Sequence, residues 1–476
     1  MGRDEVDEFY PKKPFFERHE FVGTLFKGDK SAPDLQVVIQ YSLIEEGEII
    51  AKVVGNVDTF KKIQSVIHSA GPRLKLSTKD TQSSVFSFSS DNALIGGIIS
   101  KPYFGTDMSY KVADLRFLDL TMRKKIPLTD KEERYLVFYL AGPRTLWTTF
   151  ETGEVSFTGE EKIDVHGTKI ELDEQFPFEI ETRPWYFYDT SPSEKHVNLK
   201  TKIQALSFKA TVPTSELSDD DFVALASSVA DDLTLLISFL SRHWVMWFRY
   251  ELDSQDGMRA FIRNIRKCSS EDVEYYDSVV PFDHARNFLK VAFGEIRKLR
   301  QTGINLHMPL VYYISACGKE FIEEGFSTLF LSLEKIKDMF SMKQNLLEII
   351  KPAKFSKLSH SVRDVIRREL GDDQSFELMS AKLSELNRPS LRSVLDSLFE
   401  RYGVKWDDLY PINSLFTLIK TRDILFHSSD LIDVNILAKE ELRLRSLLER
   451  LMLSMLGWKD SSHSPAYYEK KWLLEK

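Results

Sequence analysis

The chain has 476 residues, a formal net charge of −8, and 42% hydrophobic residues including 33 phenylalanines. That length exceeds the ~250–300 residues one hydrophobic core supports, and that composition excludes a disordered chain. An acidic balance, with a pI near 5.8, excludes a globally basic nucleic-acid binder, so any nucleic acid must meet a local patch.

The first residues, MGRDEVDEFYPKKP, are charged and carry no apolar core of a signal peptide. The longest greasy stretch, Leu233 to Leu240, is far short of the ~20 residues that span a bilayer. Only Cys268 and Cys317 occur, too few for a disulfide framework or a cysteine-rich zinc site. The expectation is a cytoplasmic protein in a reducing compartment, with no membrane partner.

Taken in chain order, residues 20–210 read as strands. Phe21 to Phe26, Leu35 to Leu43 and Glu48 to Val54 alternate or cluster branched and aromatic residues, with turns at Lys27-Gly28-Asp29 and Glu46-Gly47. One helix is predicted over Asp58 to Ser69. Further strands are predicted at Val85 to Phe88, Ala93 to Ser100, Arg116 to Met122, Tyr135 to Tyr139, Ile180 to Tyr188 and Leu199 to Val212. Many short strands with polar turns point to a β-sandwich-like domain over residues 1–213.

The pattern changes at Pro213. Phe222, Leu225, Val229, Leu233, Leu236 and Leu240 recur at helical spacing behind the acidic run Asp219 to Asp221, which suits a helix N-terminus. Arg242 to Leu252 reads as a strand, and helices are predicted over Met258 to Lys267 and Asp283 to Arg300. Residues 214–306 are thus expected as a mixed connecting region. In it, Trp244 and Trp247 fit core packing better than base stacking.

From 307 to 476 the spacing is helical nearly throughout: Val311 to Phe321, Ser327 to Phe340, Leu358 to Leu370, Leu391 to Tyr402, Pro411 to Phe426 and Ile436 to Leu456. Gly457 fits the stop of the last long helix. The expected class is α+β and multidomain: a β-sandwich-like N-terminal region followed by an all-α bundle.

P-loop, GxGxxG, HExxH, GxSxG and CxxC patterns are missing, which argues against ordinary ATPases, zinc hydrolases and dehydrogenases. Asp283, His284 and His463 are isolated and read as surface or core groups rather than metal ligands. One segment differs: TRDILFHSS, Thr421 to Ser429. Asp423 and His427 are four apart and share a helix face, so the carboxylate could fix the imidazole tautomer and raise its basicity. Arg422 lies about 140° round the helix from His427, yet its long fork could bend toward a phosphate. Ile424, Leu425 and Phe426 are expected to face the core. Lys357, Arg363, Arg367 and Arg368 form a second basic cluster. It is read either as a grip on a phosphate backbone or as a solvated face paired with Asp364 and Glu369.

Arg422, Asp423 and His427, followed by a final long helix LRLRSLLERLMLSMLGW (Leu442 to Trp458), resemble the HEPN superfamily and its ApeA-like branch over residues 307–476. Leu333-Glu334 fits a Leu-Glu step of an earlier family helix, and a β-rich region before the helical domain fits the layout. Asp423 stands where the family more often has Asn. The resemblance implies a HEPN-type bundle and a metal-independent endoribonuclease needing no cofactor. The RNA 2′-OH would attack the adjacent phosphorus to leave a 2′,3′-cyclic phosphate. His427 would be the general acid or base, Arg422 the charge stabiliser and Asp423 the orienting group. It further implies a homodimer, or a larger even-numbered assembly, that brings two motifs together. A role in anti-phage defence follows from the resemblance, with the N-terminal domain sensing a phage-derived trigger. Two alternatives stay open: a catalytically silent HEPN module binding RNA or a protein partner, and an unrelated interaction protein with a chance motif.

Overall fold

Every side chain of residues 35–41 except Gln36 is buried, and the strand they form shows how the first half of the chain folds. The computed structural model describes residues 16–42, 49–55, 57–68, 74–78, 86–102, 109–124, 133–142, 157–158, 162–163, 168–172, 174–188, 200–255, 257–263, 278–281, 284–371, 374–410, 415–427 and 432–459. The Glu46-Gly47 turn, Cys268, Asp283 and His463 lie outside them. The chain forms two units, one of residues 1–234 and 244–273 and one of 235–243 and 274–476.

The first unit is a sheet. Its strands are β1 (Phe16–Lys27), β2 (Lys30–Ser42), β3 (Ile49–Gly55), β4 (Leu74–Thr78), β5 (Phe86–Pro102), β6 (Ser109–Phe117), β7 (Asp119–Lys124) and β8 (Tyr135–Ala141). Two-residue pieces follow, β9 (Phe157–Thr158), β10 (Lys162–Ile163) and β11 (Thr168–Lys169), and then β12 (Phe178–Tyr188), β13 (Lys200–Ala210), β14 (Met246–Ser254) and β15 (Gly257–Arg263). Apart from β9 and β10, which pair with each other, they join one antiparallel sheet in the order β11-β12-β13-β8-β14-β15-β7-β5-β4-β1-β2-β3-β6.

The sheet also closes on itself. Ala93 of β5 pairs with Leu74 of β4 on one side and with Phe117 of β6 on the other. Nearer its start, Ser89 pairs with Ser77 of β4 and with Thr121 of β7. Strands β6 and β7 therefore run along one side of β5, divided at Leu118. Strand β6 turns away to pair with β3, and β7 pairs with β15. The path β5-β4-β1-β2-β3-β6 returns to β5 as a closed circuit. The expected sandwich of two stacked sheets is thus replaced by one sheet, partly closed. The cause is the length of β5 and its register shift between Ile95 and Gly97, beside Gly96; bulges and glycines let a strand bend into closure.

Helix α1 (Val57–Ile67) packs on β1, β2 and β3, burying Phe60, Ile63 and Val66 with Leu25, Ile39 and Phe117. Beyond the circuit, β8 is buried on both faces, as its unbroken apolar run YLVFYLA requires. Val137, Tyr139 and Phe248 cluster on one face. On the other, Phe138 meets Phe208 and Trp247, while Phe178 meets both Phe208 and Phe222. The Trp247 indole donates to Asp231 at 2.7 Å, so this aromatic block is core.

Helix α2 (Asp219–Ser241) carries Asp219, Asp220 and Asp221 in its first turn, and Ser218 Oγ accepts from the Asp221 amide at 3.1 Å. It is long and apolar enough to cross a bilayer by composition, but 72% of that window is buried within the protein. The greasy stretch alone understated its length, because Asp231 and Asp232 break the run. Its residues up to 234 belong to the first unit and those from 235 to the second. The region 214–306 is therefore shared between the units. Residues Met258 to Lys267, expected as a helix, begin as strand β15. Gly257 at φ +114° turns the chain back on β14, and Ala260 and Ile262 alternate into the core.

The second unit is helical: α3 (Ala285–Gln301), α4 (His307–Cys317), α5 (Ile322–Gln344), α6 (Pro352–Leu370), α7 (Gln374–Lys382), a 3₁₀ turn (Leu383–Asn387), α8 (Leu391–Tyr402), α9 (Leu415–His427) and α10 (Val434–Met455). Helix α5 packs against α4, α8, α9 and α10. Leu329, Leu333, Leu395, Leu398, Leu444 and Leu448 are fully buried in this bundle. Asp433 caps α10, accepting from the amides of Asn435 (2.8 Å) and Ile436 (3.3 Å). Gly457, at φ +76°, follows the end of α10 in the left-handed conformation that the sequence pattern anticipates. Inside the bundle, Arg242 donates from Nε and Nη2 to Glu449 at 2.8 and 2.9 Å, and Tyr313 also donates to Glu449. Among the described residues, α6 and α7 form an arm between α5 and α8. Its base is held by Asn387: the Ile349 amide donates to the Asn387 carbonyl. The Asn387 side-chain amide exchanges two bonds with the backbone of Ile350, all three at 2.8 Å.

Candidate active site on the penultimate helix

Helix α9 buries Leu418 and Thr421, and Leu425 continues that seam one turn on, half-buried. Three consecutive residues cover about 200° of a helix, so Ile424, Leu425 and Phe426 cannot all face the core. Phe426 is 47% exposed, against expectation, and Ile424 is half-buried.

Arg422 follows the buried Thr421 and sits at the edge of the α9–α5 contact. Its Nη2 lies 3.6 Å from Glu334 Oε1, and its guanidinium carbon is 5.7 Å from the centre of the Phe330 ring. Phe330 and Glu334 are one turn apart on α5, so one face of that helix supplies both a ring and a carboxylate to the guanidinium. Leu333, beside Glu334, is fully buried and holds this face in register. Arg422 Nη1 also donates to Asp423 Oδ1 at 2.8 Å. The Arg422 side chain is about one-third exposed, and its guanidinium is shared between two carboxylates.

Asp423 is half-exposed, and its carboxylate engages Arg422, its neighbour in sequence. His427 is the last residue of α9, five positions beyond Arg422; its side chain lies outside the described residues. The structure therefore brings together Arg422, Asp423 and Glu334. Glu334 stood out beforehand only as part of a family step, and Phe330 carried no signal beyond its place in an apolar period. Among the described residues, no group of three His, Cys, Asp or Glu side chains is arranged to hold a metal ion.

The second basic cluster lies on α6. Lys357, Arg367 and Arg368 are exposed, and Arg363 is half-buried. At 100° per residue, Arg363, Arg367, Lys357 and Arg368 fall within one arc of about 140° on the side of the helix away from Phe355, Val362 and Ile366, and Asp364 falls within the same arc. Arg367 stacks on the buried Phe376 of α7, 4.6 Å from its ring centre.

No family model, curated protein or solved structure matches the chain.

Proposed function

We propose that the helical unit is a metal-independent endoribonuclease of HEPN, ApeA-like type. The observation that carries this reading is Arg422, fixed by Glu334 and Phe330 and about one-third exposed, five residues before His427 on the same helix. A guanidinium so held is pre-organised to meet the non-bridging oxygens of a phosphodiester as negative charge grows there.

In this mechanism the imidazole of His427 removes the proton from the RNA 2′-OH. The oxygen attacks phosphorus, the bond to the 5′-oxygen breaks, and a second imidazole protonates the leaving oxygen. The products are a 2′,3′-cyclic phosphate and a 5′-OH, and DNA, without a 2′-OH, is not cut. Asp423 orients the site. A second copy of the chain supplies the second imidazole, and the exposed side chains of Phe426, Val434 and Ile436 beside the site favour such pairing. In a cell, cytoplasmic RNA cleavage by such an enzyme would act in defence or as a toxin. The sheet unit would serve as the element that senses a phage-derived trigger and restrains the nuclease.

A second reading is a silent HEPN module that binds RNA or a protein partner. It is favoured by one observation: two carboxylates already occupy Arg422.

The two readings part on one experiment. Purified wild type, His427→Ala and Arg422→Lys are incubated with RNA in EDTA. The nuclease reading expects cleavage by wild type, none by His427→Ala, and a severe loss in Arg422→Lys because a point charge lacks the planar fork. Equal cleavage by wild type and His427→Ala overturns it.

A further inference from the structure

Helix α6 concentrates positive charge in an acidic chain. From Lys351 to Gly371 the helix and its caps hold six basic side chains against two acidic ones, Asp364 and Glu369, while the whole chain carries −8. The helix packs chiefly against α7 and the 3₁₀ turn, with Phe355, Val362 and Ile366 half-buried. Lys357, Arg363, Arg367 and Arg368 occupy the arc of about 140° on its other side, and Lys354 stands about 40° beyond Arg368. All but the half-buried Arg363 are exposed.

These cations are not balanced from within. A solvated face would pair them with Asp364 and Glu369. Among the described residues, however, neither carboxylate forms an ion pair, and neither do Lys354, Lys357, Arg363 or Arg368. Glu369 falls about 100° outside the arc. The helix dipole accounts for Arg367 and Arg368 in the last turn, but not for Lys357 and Arg363 in mid-helix. Arg363 and Arg367 are four apart, and Lys354 and Lys357 three, spacings at which like charges cost a helix stability. A bound anion would relieve that repulsion.

We infer that this arc grips the backbone of single-stranded RNA, holding the substrate of the α9 site; the choice of RNA rests on the ribonuclease reading. The rest of the arc is Ala353, Ser356, His360 and Asp364, with no large apolar side chain. A lipid boundary or a protein hot spot needs such a side chain, whereas a row of phosphates needs only charge. From Lys357 to Arg368 the cations run about 17 Å along the axis, and so meet several phosphates in succession. Arg367 is held in place, its guanidinium stacked 4.6 Å from the centre of the Phe376 ring. Asp364 is the one carboxylate inside the arc and opposes the strand.

Binding is read on the full chain carrying His427→Ala, which is expected to hold RNA without cutting it. The measurement is fluorescence anisotropy of a labelled single-stranded RNA and of DNA of the same sequence. A grip on the backbone binds both alike. Its affinity falls with salt on a log–log slope of about −3, from ~0.7 for each of four phosphates. Lys357→Gln with Arg368→Gln should bring that slope to about −1.5 and weaken binding whatever the sequence. Asp364→Asn should tighten it. These three positions are exposed, so the melting temperature should hold. Absence of binding at low salt, or an affinity and slope indifferent to all three substitutions, overturns the proposal. So does capture by phosphatidylserine vesicles of a protein that no RNA strand engages. Cleavage by the chain with His427 intact is scored separately in EDTA. An unaltered KM in the Lys357→Gln, Arg368→Gln variant removes the arm from the reaction and leaves the α9 reading standing.

Discussion

Glu334 on α5 stands 3.6 Å from Arg422 on α9, so a residue 88 positions earlier in the chain fixes where the candidate catalytic guanidinium points. If that ion pair positions Arg422 for phosphate, Glu334→Gln should lower the turnover of RNA cleavage about fivefold. That corresponds to the ~1 kcal/mol of a partly exposed pair. The melting temperature should barely move, and the pH profile set by His427 should keep its shape. Unchanged or faster cleavage would count against a positioning role.

The pairing of two motifs has its own test. Phe426→Glu with Ile436→Glu places charges on exposed apolar positions next to the site. Light scattering should report a dimer for the wild type and monomers for the variant. RNA cleavage should fall by ~10²-fold or more, the usual worth of a lost general acid or base. A fully active monomer would defeat the paired-site mechanism.

Arg242 and Glu449 form a buried pair, and Glu449 is fully enclosed. Glu449→Ala leaves the guanidinium without its counter-charge and should destabilise the helical unit by about 3–5 kcal/mol. Replacing both, Arg242→Met with Glu449→Leu, should recover most of the loss, because an apolar pair of similar volume has no charge to desolvate. Hydrogen exchange of the α10 amides would report both effects within this unit.

Asp408 supplies a pH dependence. Its two carboxylate oxygens each accept from Arg450 at 2.7 Å, and those bonds hold its pKa below the ordinary carboxylate value. A depressed folded pKa means the pair stabilises at every pH above the free value of about 3.9. That contribution is lost as the solution is acidified through and below that value. Asp408→Asn should therefore lower the melting temperature slightly at neutral pH, with the difference from wild type shrinking as the pH falls below the ordinary carboxylate value. A difference that persists there would point to packing rather than charge.

How much of this was legible beforehand depended on distance along the chain. Local periodicity placed α2, α5 and α10, and the apolar run of β8 marked a strand. The helix expected over Met258 to Lys267 is a strand as far as Arg263, because Met258, Phe261 and Ile262 satisfy helical spacing while Ala260 and Ile262 satisfy the alternation of a strand. A run that short fits both periods, and its pairing with β14 decided the matter. The closure of β5 on β6 was invisible because it depends on pairing between strands, which composition does not encode. At the site, Arg422 and Asp423 stood out as neighbours of His427. Their coupling to Glu334 arises from the packing of α9 against α5 and left no trace in local spacing.

The clamp at Asn387 has a consequence for how this chain can change. Because the polypeptide leaves and rejoins the bundle at two points within hydrogen-bonding reach of each other, the intervening segment is attached like a handle, both feet on one spot. Such a handle can be shortened, exchanged or bridged by a few residues without asking the leucine interior to rearrange. The surface that this segment presents can therefore evolve, or be engineered, separately from the neighbouring helices.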